Sequence, residues 1–275
     1  MSPPEVGRDR RVVLRRIEEP GHSLAANLVD LVRVLQAWQP NLRLDTAGAP
    51  SRPLDVSRAA LESYLHDFTR ARSQGIPQIF RLASRDGEFQ LFFDREPTPA
   101  GEIAYVWFGV ERDLSPRPER DRFLRMLASA IEAFDAYQAF LEDEALLPLY
   151  RGHAAFERAR AALPSELRHL LPESEPEAID FPELLLPIEF DRRLVPDAVW
   201  WVNFWDQLQI NTLGADRVLS APWARDIPLP GRGHILIATE EPTSPDRPSD
   251  IAALRSIIED INLREAQERH RVKNN

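Results

Sequence analysis

Two segments of this sequence carry large apolar side chains at both odd and even positions. They are residues 103–110 (Ile-Ala-Tyr-Val-Trp-Phe-Gly-Val) and 198–205 (Ala-Val-Trp-Trp-Val-Asn-Phe-Trp). Successive side chains of a β-strand point to opposite faces of the sheet, so each segment is predicted to be a strand buried on both faces. This requirement constrains the fold most, because it puts residues 103–110 in the centre of a sheet.

The remaining strands are predicted from shorter apolar runs. The run at 11–17 forms one strand, and the run at 233–239 forms another. Residues 79–84 and 88–93 flank an Asp-Gly dipeptide at 86–87, which is a strong signal for a tight hairpin turn. The middle of the chain is therefore predicted to be an antiparallel sheet.

Apolar residues at helical spacing predict six helices. The clearest runs from Leu24 to Trp38, with Ser23 placed to cap it. The others are predicted at 56–73, 117–143, 153–162, 206–220 and 249–261, with Asp206 and Ser249 as the caps of the last two. Residues after 264 are highly charged and are expected to fray.

These elements predict an α+β fold with a largely antiparallel sheet and packed helices. Each half of the chain carries strands followed by a helix, so an architecture of two similar halves also fits, although no sequence repeat is visible. We predict two halves that pack as one domain, with an arm before them and a linker between them. The regions are a flexible arm (1–10), an N-terminal half (11–145), a proline-rich acidic connecting segment (146–198) and a C-terminal half (199–275).

Acidic side chains outnumber basic ones by 44 to 34, which gives a formal net charge of -10. Proteins that bind nucleic acid use Lys and Arg to neutralise phosphates, so this balance disfavours direct nucleic-acid binding. It suits a basic protein partner, which an acidic surface attracts. Solubility alone is the simpler explanation of the same balance.

The sequence also predicts where the protein works. No apolar run approaches the roughly 20 residues that a membrane-spanning helix needs. The first ten residues contain no apolar stretch typical of a signal peptide. The sequence has no cysteine, which excludes disulfides, thiolate metal sites and cysteine nucleophiles. We expect a cytoplasmic protein with no membrane segment.

The motifs of common enzyme classes are absent from the sequence. It has no glycine-rich nucleotide loop and no GxSxG nucleophile elbow, and its single lysine is Lys273. The six histidines have no metal-binding spacing. We therefore expect no enzyme activity, no metal ion and no cofactor. An active site assembled from dispersed carboxylates and histidines is the alternative.

Four tryptophans cluster around the second doubly apolar segment. Trp200, Trp201 and Trp205 lie within it, and Trp223 follows. Packing in the core accounts for this pattern, and an aromatic pocket for a small molecule is the alternative. Asn203 lies in the same segment, and a buried amide needs hydrogen-bond partners, so we expect it to fix a neighbouring loop or turn.

A series of motifs runs through the C-terminal part of the chain. It comprises Trp201-Val202-Asn203-Phe204-Trp205, Leu213-Gly214, Ala221-Pro222-Trp223 and Leu229-Pro230-Gly231-Arg232-Gly233. This series resembles the immunity protein 52 family and the related DUF3396-like immunity proteins of bacterial polymorphic-toxin and type VI secretion loci. The resemblance transfers no catalytic residue and implies structural roles for Trp201, Asn203, Trp205, Gly214 and Trp223.

Proteins of that kind bind and neutralise a cognate toxin, often a nuclease of restriction-endonuclease type. The resemblance therefore implies an immunity protein whose partner is such a toxin. A DNA-cutting toxin needs a basic cleft, which an acidic surface can occupy. We accordingly predict two groups of acidic contact residues, which are Glu142, Asp143 and Glu144, and Glu173, Glu175, Glu177 and Asp180. The alternative function is a small-molecule-binding or regulatory protein with a tryptophan-lined pocket.

Overall fold

A single antiparallel sheet organises the protein. The computed structural model describes residues 10–18, 23–48, 52–54, 56–74, 80–98, 101–147, 149–150, 181–182, 184–185 and 189–272. Within these ranges ten strands form one sheet in which every neighbouring pair is antiparallel, and seven α-helices pack against it. The predicted α+β class with a largely antiparallel sheet is confirmed.

The strand order puts the first described strand in the middle of the sheet. The strands are β1 (Arg10–Ile17), β2 (Leu44–Ala47), β3 (Arg52–Pro53), β4 (Phe80–Ser84), β5 (Gln90–Thr98), β6 (Gly101–Gly109), β7 (Gln138–Asp143), β8 (Val202–Asp206), β9 (Arg225–Leu229) and β10 (Gly233–Ile237). Their spatial order is β3-β2-β4-β5-β6-β1-β7-β8-β10-β9. The strand predicted at 103–110 is β6, and it is central as expected.

Each face of the sheet has its own apolar core. Val12 and Leu14 of β1 belong to one core, on the face that we call face A. Val13 belongs to the other core, on face B, and Arg15 points the same way because side chains alternate along a strand. The same alternation assigns the residues of the remaining strands to face A or face B.

Three helices cover face A over β1 and β4–β6. They are α1 (Leu24–Trp38), α2 (Arg58–Ser73) and α3 (Arg117–Phe134), and α1 packs between the other two. The Ser23 hydroxyl caps α1 as predicted, because it accepts a hydrogen bond from the Ala26 backbone N–H at 3.2 Å.

Four shorter helices cover face B over β7, β8 and β10. They are α4 (Gln207–Leu213), α5 (Ala215–Ser220), α6 (Pro248–Asp260) and α7 (Leu263–Arg269). The apolar residues predicted to face the core in the closing helix are all buried. The two helical layers thus lie on opposite faces, at opposite ends of the sheet.

Backbone pairing between β7 and β8 makes the sheet continuous across the chain. Phe140 of β7 lies opposite Asn203 of β8. Polar side chains add to the link, because Arg15 donates to the Gln138 side chain at 2.8 Å and to the Asp197 carboxylate at 2.6 Å. Strands from both halves of the sequence therefore form one sheet.

The predicted helix over residues 117–143 is wrong beyond Phe134. Asp135 adopts a left-handed conformation with φ 57°, and its backbone N–H bonds to carbonyl groups of the last turn, which ends α3. Strand β7 begins at Gln138 and pairs with β1 and β8. Neither glycine nor proline marks this break, so the apolar spacing extended the helix into a strand.

Two further predictions around β8 need correction. The strand begins only at Val202, although residues 198–201 before it are buried. The predicted cap is present, since the Asp206 side chain accepts a hydrogen bond from a first-turn N–H of α4. The helix after it breaks at Gly214, whose φ of 97° separates α4 from α5.

The last elements also differ from the prediction. Helix α6 begins at Pro248, so Ser249 lies in its first turn and is not its cap. The residues expected to fray form α7, where Ala266 and Gln267 are buried. Strand β9 was not predicted because it is mostly exposed and carries few apolar residues. The predicted helix at 153–162 lies outside the described residues.

Candidate partner-binding surfaces

Glu142, Asp143 and Glu144 lie together at the end of β7, and each carboxylate is close to an arginine of β1. Asp143 accepts a hydrogen bond from Arg10 at 3.0 Å, and Arg11 donates to Glu142 at 2.5 Å. Arg11 also lies 3.6 Å from the Glu144 carboxylate. Three acids thus meet two arginines, which lowers the negative potential of the cluster.

The three carboxylates differ in exposure. Asp143 is only 4% exposed, and its side chain accepts the Ala145 N–H, which caps a short 3-10 turn over Glu144–Leu146. It therefore belongs to the folded interior. The Glu142 side chain is 12% exposed and the Glu144 side chain is 49% exposed, so Glu144 is the most accessible member. The other predicted contacts, Glu173, Glu175, Glu177 and Asp180, lie outside the described residues.

Asn203 is fully buried and holds the backbone on both sides of it. Its carbonyl oxygen accepts the Trp200 N–H at 2.9 Å, and its amide donates to the Trp200 carbonyl at 2.8 Å. The amide also donates to the Leu236 carbonyl of β10 at 3.4 Å. The side chain thus fixes the turn before β8 and satisfies polar groups that would otherwise be buried without partners.

The tryptophans of this segment are core residues. Trp205 on face B meets Trp223 edge-on, with ring centroids 5.5 Å apart, and Trp223 Nε1 donates to the Val218 carbonyl at 2.8 Å. Trp201 is stacked on Phe123 of α3 at 6.3 Å. Every tryptophan between positions 200 and 205 is at most 4% exposed. They build the core and do not line a shared pocket in the described part of the chain.

A stack of three aromatic rings lies on face B of β5 and β6, where no described helix covers the sheet. We call Phe92, Trp107 and Tyr105 the aromatic row. The Trp107 ring centroid lies 5.2 Å from that of Phe92 and 5.4 Å from that of Tyr105, with interplanar angles of 13° and 23°. All three side chains are partly exposed. The rings are therefore ordered by one another and still accessible.

Open space adjoins one end of the aromatic row. Trp107 lies beside the buried Val13 on one side, whereas Gly109, the next residue of β6 on face B, is exposed. A Cβ atom at Gly109 would meet no atom within 4 Å. A cleft of about 820 Å³ also begins here, with Gly109 and Phe92 in its wall. A partner can thus approach the row from this side.

Tyr105 carries the polar group of the aromatic row. Its hydroxyl donates a hydrogen bond to the Asp94 carboxylate at 3.2 Å. Burial, together with this carboxylate, raises the pKa of Tyr105 to about 12. The phenol therefore remains a protonated donor at neutral pH.

Sequence reasoning missed the aromatic row because it interpreted β6 as buried on both faces. Only face A of this strand is fully buried, through Ala104, Val106 and Phe108, each at 0% exposure. Tyr105 and Trp107 alternate with them and are partly exposed. The alternation was visible in the sequence, but which face the helices cover depends on contacts between distant segments.

A second candidate surface lies on face A, between α3 and β9. It is a cleft of about 730 Å³ that we call the arginine cleft, because Arg117, Arg120 and Arg125 of α3 and Arg225 of β9 line it. Trp201 forms part of its apolar base. The cleft thus combines an apolar base with a basic rim.

The charges of the arginine cleft are unequal. Four arginines face two carboxylates, Asp121 and Glu240. Asp121 is shared, since it lies 3.4 Å from Arg225 and 3.9 Å from Arg117. Arg125 is exposed and forms no ion pair with any residue that the structure describes. The cleft is therefore locally positive on a chain of net charge -10.

The described ranges contain no cluster of metal-binding side chains and no membrane-spanning helix. No three His, Asp or Glu side chains there come close enough together to hold a metal ion. None of the described helices is both long and apolar enough to cross a membrane.

Similarity to known proteins is distant. No family model matches this sequence, and neither does any curated protein. A solved structure, the T6SS protein PA0821 of Pseudomonas aeruginosa, aligns with 92% of this chain and with 73% of its own, at a TM-score of 0.49 and 12% sequence identity.

Proposed function

We propose that this chain is a cytoplasmic immunity protein that binds a cognate bacterial toxin, a nuclease effector, and neutralises it by tight protein–protein contact. It acts by binding and catalyses no reaction. The motif series from Trp201 to Gly233, which resembles such immunity proteins, supports the choice of partner. The aromatic row is the observation that carries the proposal of a binding surface.

The aromatic row has the properties of a contact surface. Large aromatic side chains are enriched where proteins bind each other, and a few of them usually contribute most of the binding energy. Phe92, Trp107 and Tyr105 are already stacked, so these side chains lose little conformational entropy when a partner binds. A partly exposed aromatic row that no described helix covers supports binding over a purely structural role.

The charges next to the aromatic row suit a basic partner. On face B, next to Trp107, Arg11 of β1 lies between its cross-strand neighbours Gly109 of β6 and Glu142 of β7. Glu144 follows at the end of β7, half exposed. A nuclease carries a basic cleft for phosphates, and a chain of net charge -10 attracts it over a distance. We therefore propose that the toxin docks over the aromatic row and Glu144.

The substitution Gly109→Arg tests this contact. The backbone at Gly109 needs no glycine, and a new side chain there meets open space, so the fold accommodates the change. The arginine obstructs docking and repels a basic partner. We expect the Kd for the toxin encoded by the adjacent gene to rise at least about thirtyfold, which corresponds to about 2 kcal/mol. Isothermal titration calorimetry measures it, and co-expression with the toxin reports the loss of protection.

Ala252→Arg on the exposed side of α6 is the matched control and should leave the Kd unchanged. An unchanged Kd for Gly109→Arg removes the aromatic row from the interface. If the unmodified chain neither binds that toxin nor protects a cell from it, the proposed function is wrong. Saturable quenching of tryptophan fluorescence by a metabolite would then favour the small-molecule alternative.

The predicted acidic contact outside the described residues has its own test. Changing Glu173, Glu175 and Glu177 together to Lys should weaken toxin binding and flatten its dependence on salt concentration. Affinity measured at two salt concentrations decides the matter. An unchanged affinity and salt dependence removes these three residues from the interface.

A further inference from the structure

We infer that the arginine cleft is a second binding site, which takes a carboxylate-rich segment of a protein partner. It lies on face A beside α3, whereas the aromatic row lies on face B. One rigid partner surface does not reach both. This inference therefore goes beyond the proposed function and does not depend on it.

The arginine cleft is built from two walls with converging charge. Arg117, Arg120 and Arg125 all belong to α3 and line one wall of the cleft. Arg225 stands on the opposite wall, on edge strand β9. It comes within 3.4 Å of Asp121 on α3, so the two walls are an ion-pair distance apart at this point.

Most of the donors in the cleft remain available. Asp121 is shared between Arg117 and Arg225, and the 3.9 Å separation from the 84%-exposed Arg117 makes that pair weak. Arg120 donates to the Ser115 carbonyl, which occupies only part of a guanidinium with five N–H groups. Arg125 has no ion-pair partner in the described ranges. Several guanidinium groups can thus each accommodate a carboxylate through two parallel hydrogen bonds.

The base of the cleft strengthens such contacts. Trp201, Ile235 and Ile237 are buried there, and Ala128 and Ile227 are partly exposed along the walls. Apolar surroundings exclude water and lower the local dielectric constant, so an ion pair at this surface is stronger than on an open helix. They also offer contact to apolar side chains placed between the carboxylates of a bound segment.

A protein segment fits the arginine cleft better than a nucleic acid does. Nucleic-acid affinity comes from many phosphate contacts, whereas this cleft offers four arginines around an apolar base. A peptide that alternates carboxylates with apolar side chains matches both the basic rim and the apolar base. The occupant that we propose is therefore an acidic, partly apolar segment of a protein.

Fluorescence anisotropy with a short labelled peptide of Glu and Leu, added to the full chain, tests the inference. We expect saturable binding that weakens as salt is added. Arg125→Glu should raise the Kd at least about tenfold, since it replaces an attraction by a repulsion at a position with no ion-pair partner among the described residues. Arg217→Glu is the control, because Arg217 is exposed on α5 and forms no ion pair with a described residue.

The inference is wrong if the unmodified chain does not bind the peptide at low salt, or if both variants weaken binding equally. Tighter binding of a DNA oligonucleotide than of the peptide would overturn it in favour of a nucleic-acid site. A dimer that Arg125→Glu converts to a monomer would assign the cleft to a second copy of this chain. Gly109→Arg should leave peptide binding unchanged, so a failure here is distinct from a failure of the proposed toxin contact.

Discussion

Two groups of aromatic residues on face B have opposite surroundings. Trp200, Trp205 and Phe140 lie beneath the layer of α4–α7, and none is more than 4% exposed. Phe92 and Trp107 lie on the same face, a few strands away, and remain partly exposed. The residue types are alike, so the helical layer and not the aromatic character separates core from surface.

Face A shows the same contrast at the other end of the sheet. Helices α1–α3 bury the side chains of β4–β6 there, but the layer ends at α3. Beyond it Ile227 and Leu229 of β9 are only partly buried, and the arginine cleft opens. In the described part of the chain, each helical layer thus leaves an accessible surface where it ends, an aromatic one on β5 and β6 and a basic one beside β9.

Matched alanine substitutions test most directly the difference between the covered and the partly exposed aromatic residues of face B. Trp205→Ala removes a buried ring and should lower the free energy of unfolding by about 3–5 kcal/mol. Trp107→Ala removes a partly exposed ring and should lower it by less than half as much, while weakening toxin binding about thirtyfold. Urea denaturation and calorimetry measure the two effects. Equal destabilisation by both variants would show that Trp107 is a core residue in solution.

Replacement of Asn203 probes the polar part of the covered region. In Asn203→Leu the N–H and carbonyl of Trp200 lose their partners while they remain buried, so stability should fall by about 2–4 kcal/mol. Gln207→Ala is the control, since its side chain is exposed and should change stability by less than about 0.5 kcal/mol. Both values come from urea denaturation. A small effect of Asn203→Leu would mean that water reaches the turn before β8.

Alkaline pH should destabilise the protein through its tyrosines. Burial raises the pKa of Tyr137 and Tyr150 far above its ordinary value and that of Tyr105 to about 12. The unfolded chain therefore loses phenol protons first, and the free energy of unfolding falls as the pH rises past about 10. Between the pKa of the unfolded chain and that of the folded protein, each of the two buried tyrosines lowers the free energy of unfolding by about 1.4 kcal/mol for every unit that the pH rises.

The measurement is urea denaturation at neutral pH and at about pH 11, with phenolate absorbance followed in parallel. Tyr150→Phe removes one buried phenol and should make the loss of stability smaller. Asp94→Asn should lower the pKa of Tyr105, because it removes the carboxylate beside the hydroxyl. A stability that stays constant up to about pH 11 would contradict the burial of these hydroxyl groups.

The smallest predicted difference separates neighbours in the acidic cluster. Asp143→Ala removes a buried cap and an ion pair with Arg10, and should cost about 1–2 kcal/mol of stability. Glu144→Ala alters an exposed side chain, so stability should change by less than about 0.5 kcal/mol while toxin affinity falls. Thermal unfolding and calorimetry distinguish the two. A reversed order would exchange their structural and binding roles.

Local signals account for what the sequence predicted correctly. Ser23 caps α1, the Asp-Gly turn at 86–87 joins β4 to β5, and Asp206 caps α4. Each depends on residues that are close in sequence. Helix α7 and strand β9 were missed because charged or exposed segments carry little apolar periodicity, and tertiary contacts fix their structure.

The candidate surfaces were harder to predict than the fold. The acidic residues Glu142, Asp143 and Glu144 were identified from charge. Asp143, however, is buried and paired with Arg10, and Arg11 offsets the other two. The pairing of β1 with β7 places those arginines beside the acids, and it joins strands from the two ends of the N-terminal half of the chain. Local sequence spacing predicts neither such a pairing nor which part of each sheet face the described helices leave uncovered.

The central position of β1 has a consequence for synthesis. Its neighbours in the sheet, β6 and β7, are translated long after it, so β1 leaves the ribosome with neither edge paired. The strand with the apolar run Val12–Leu14 gains its second paired edge only when residues near 140 emerge, and unpaired strand edges invite aggregation or chaperone binding. Strands β8–β10 join afterwards at the free edge of β7. A folding rate limited by these long-range pairings is therefore expected for the newly made chain.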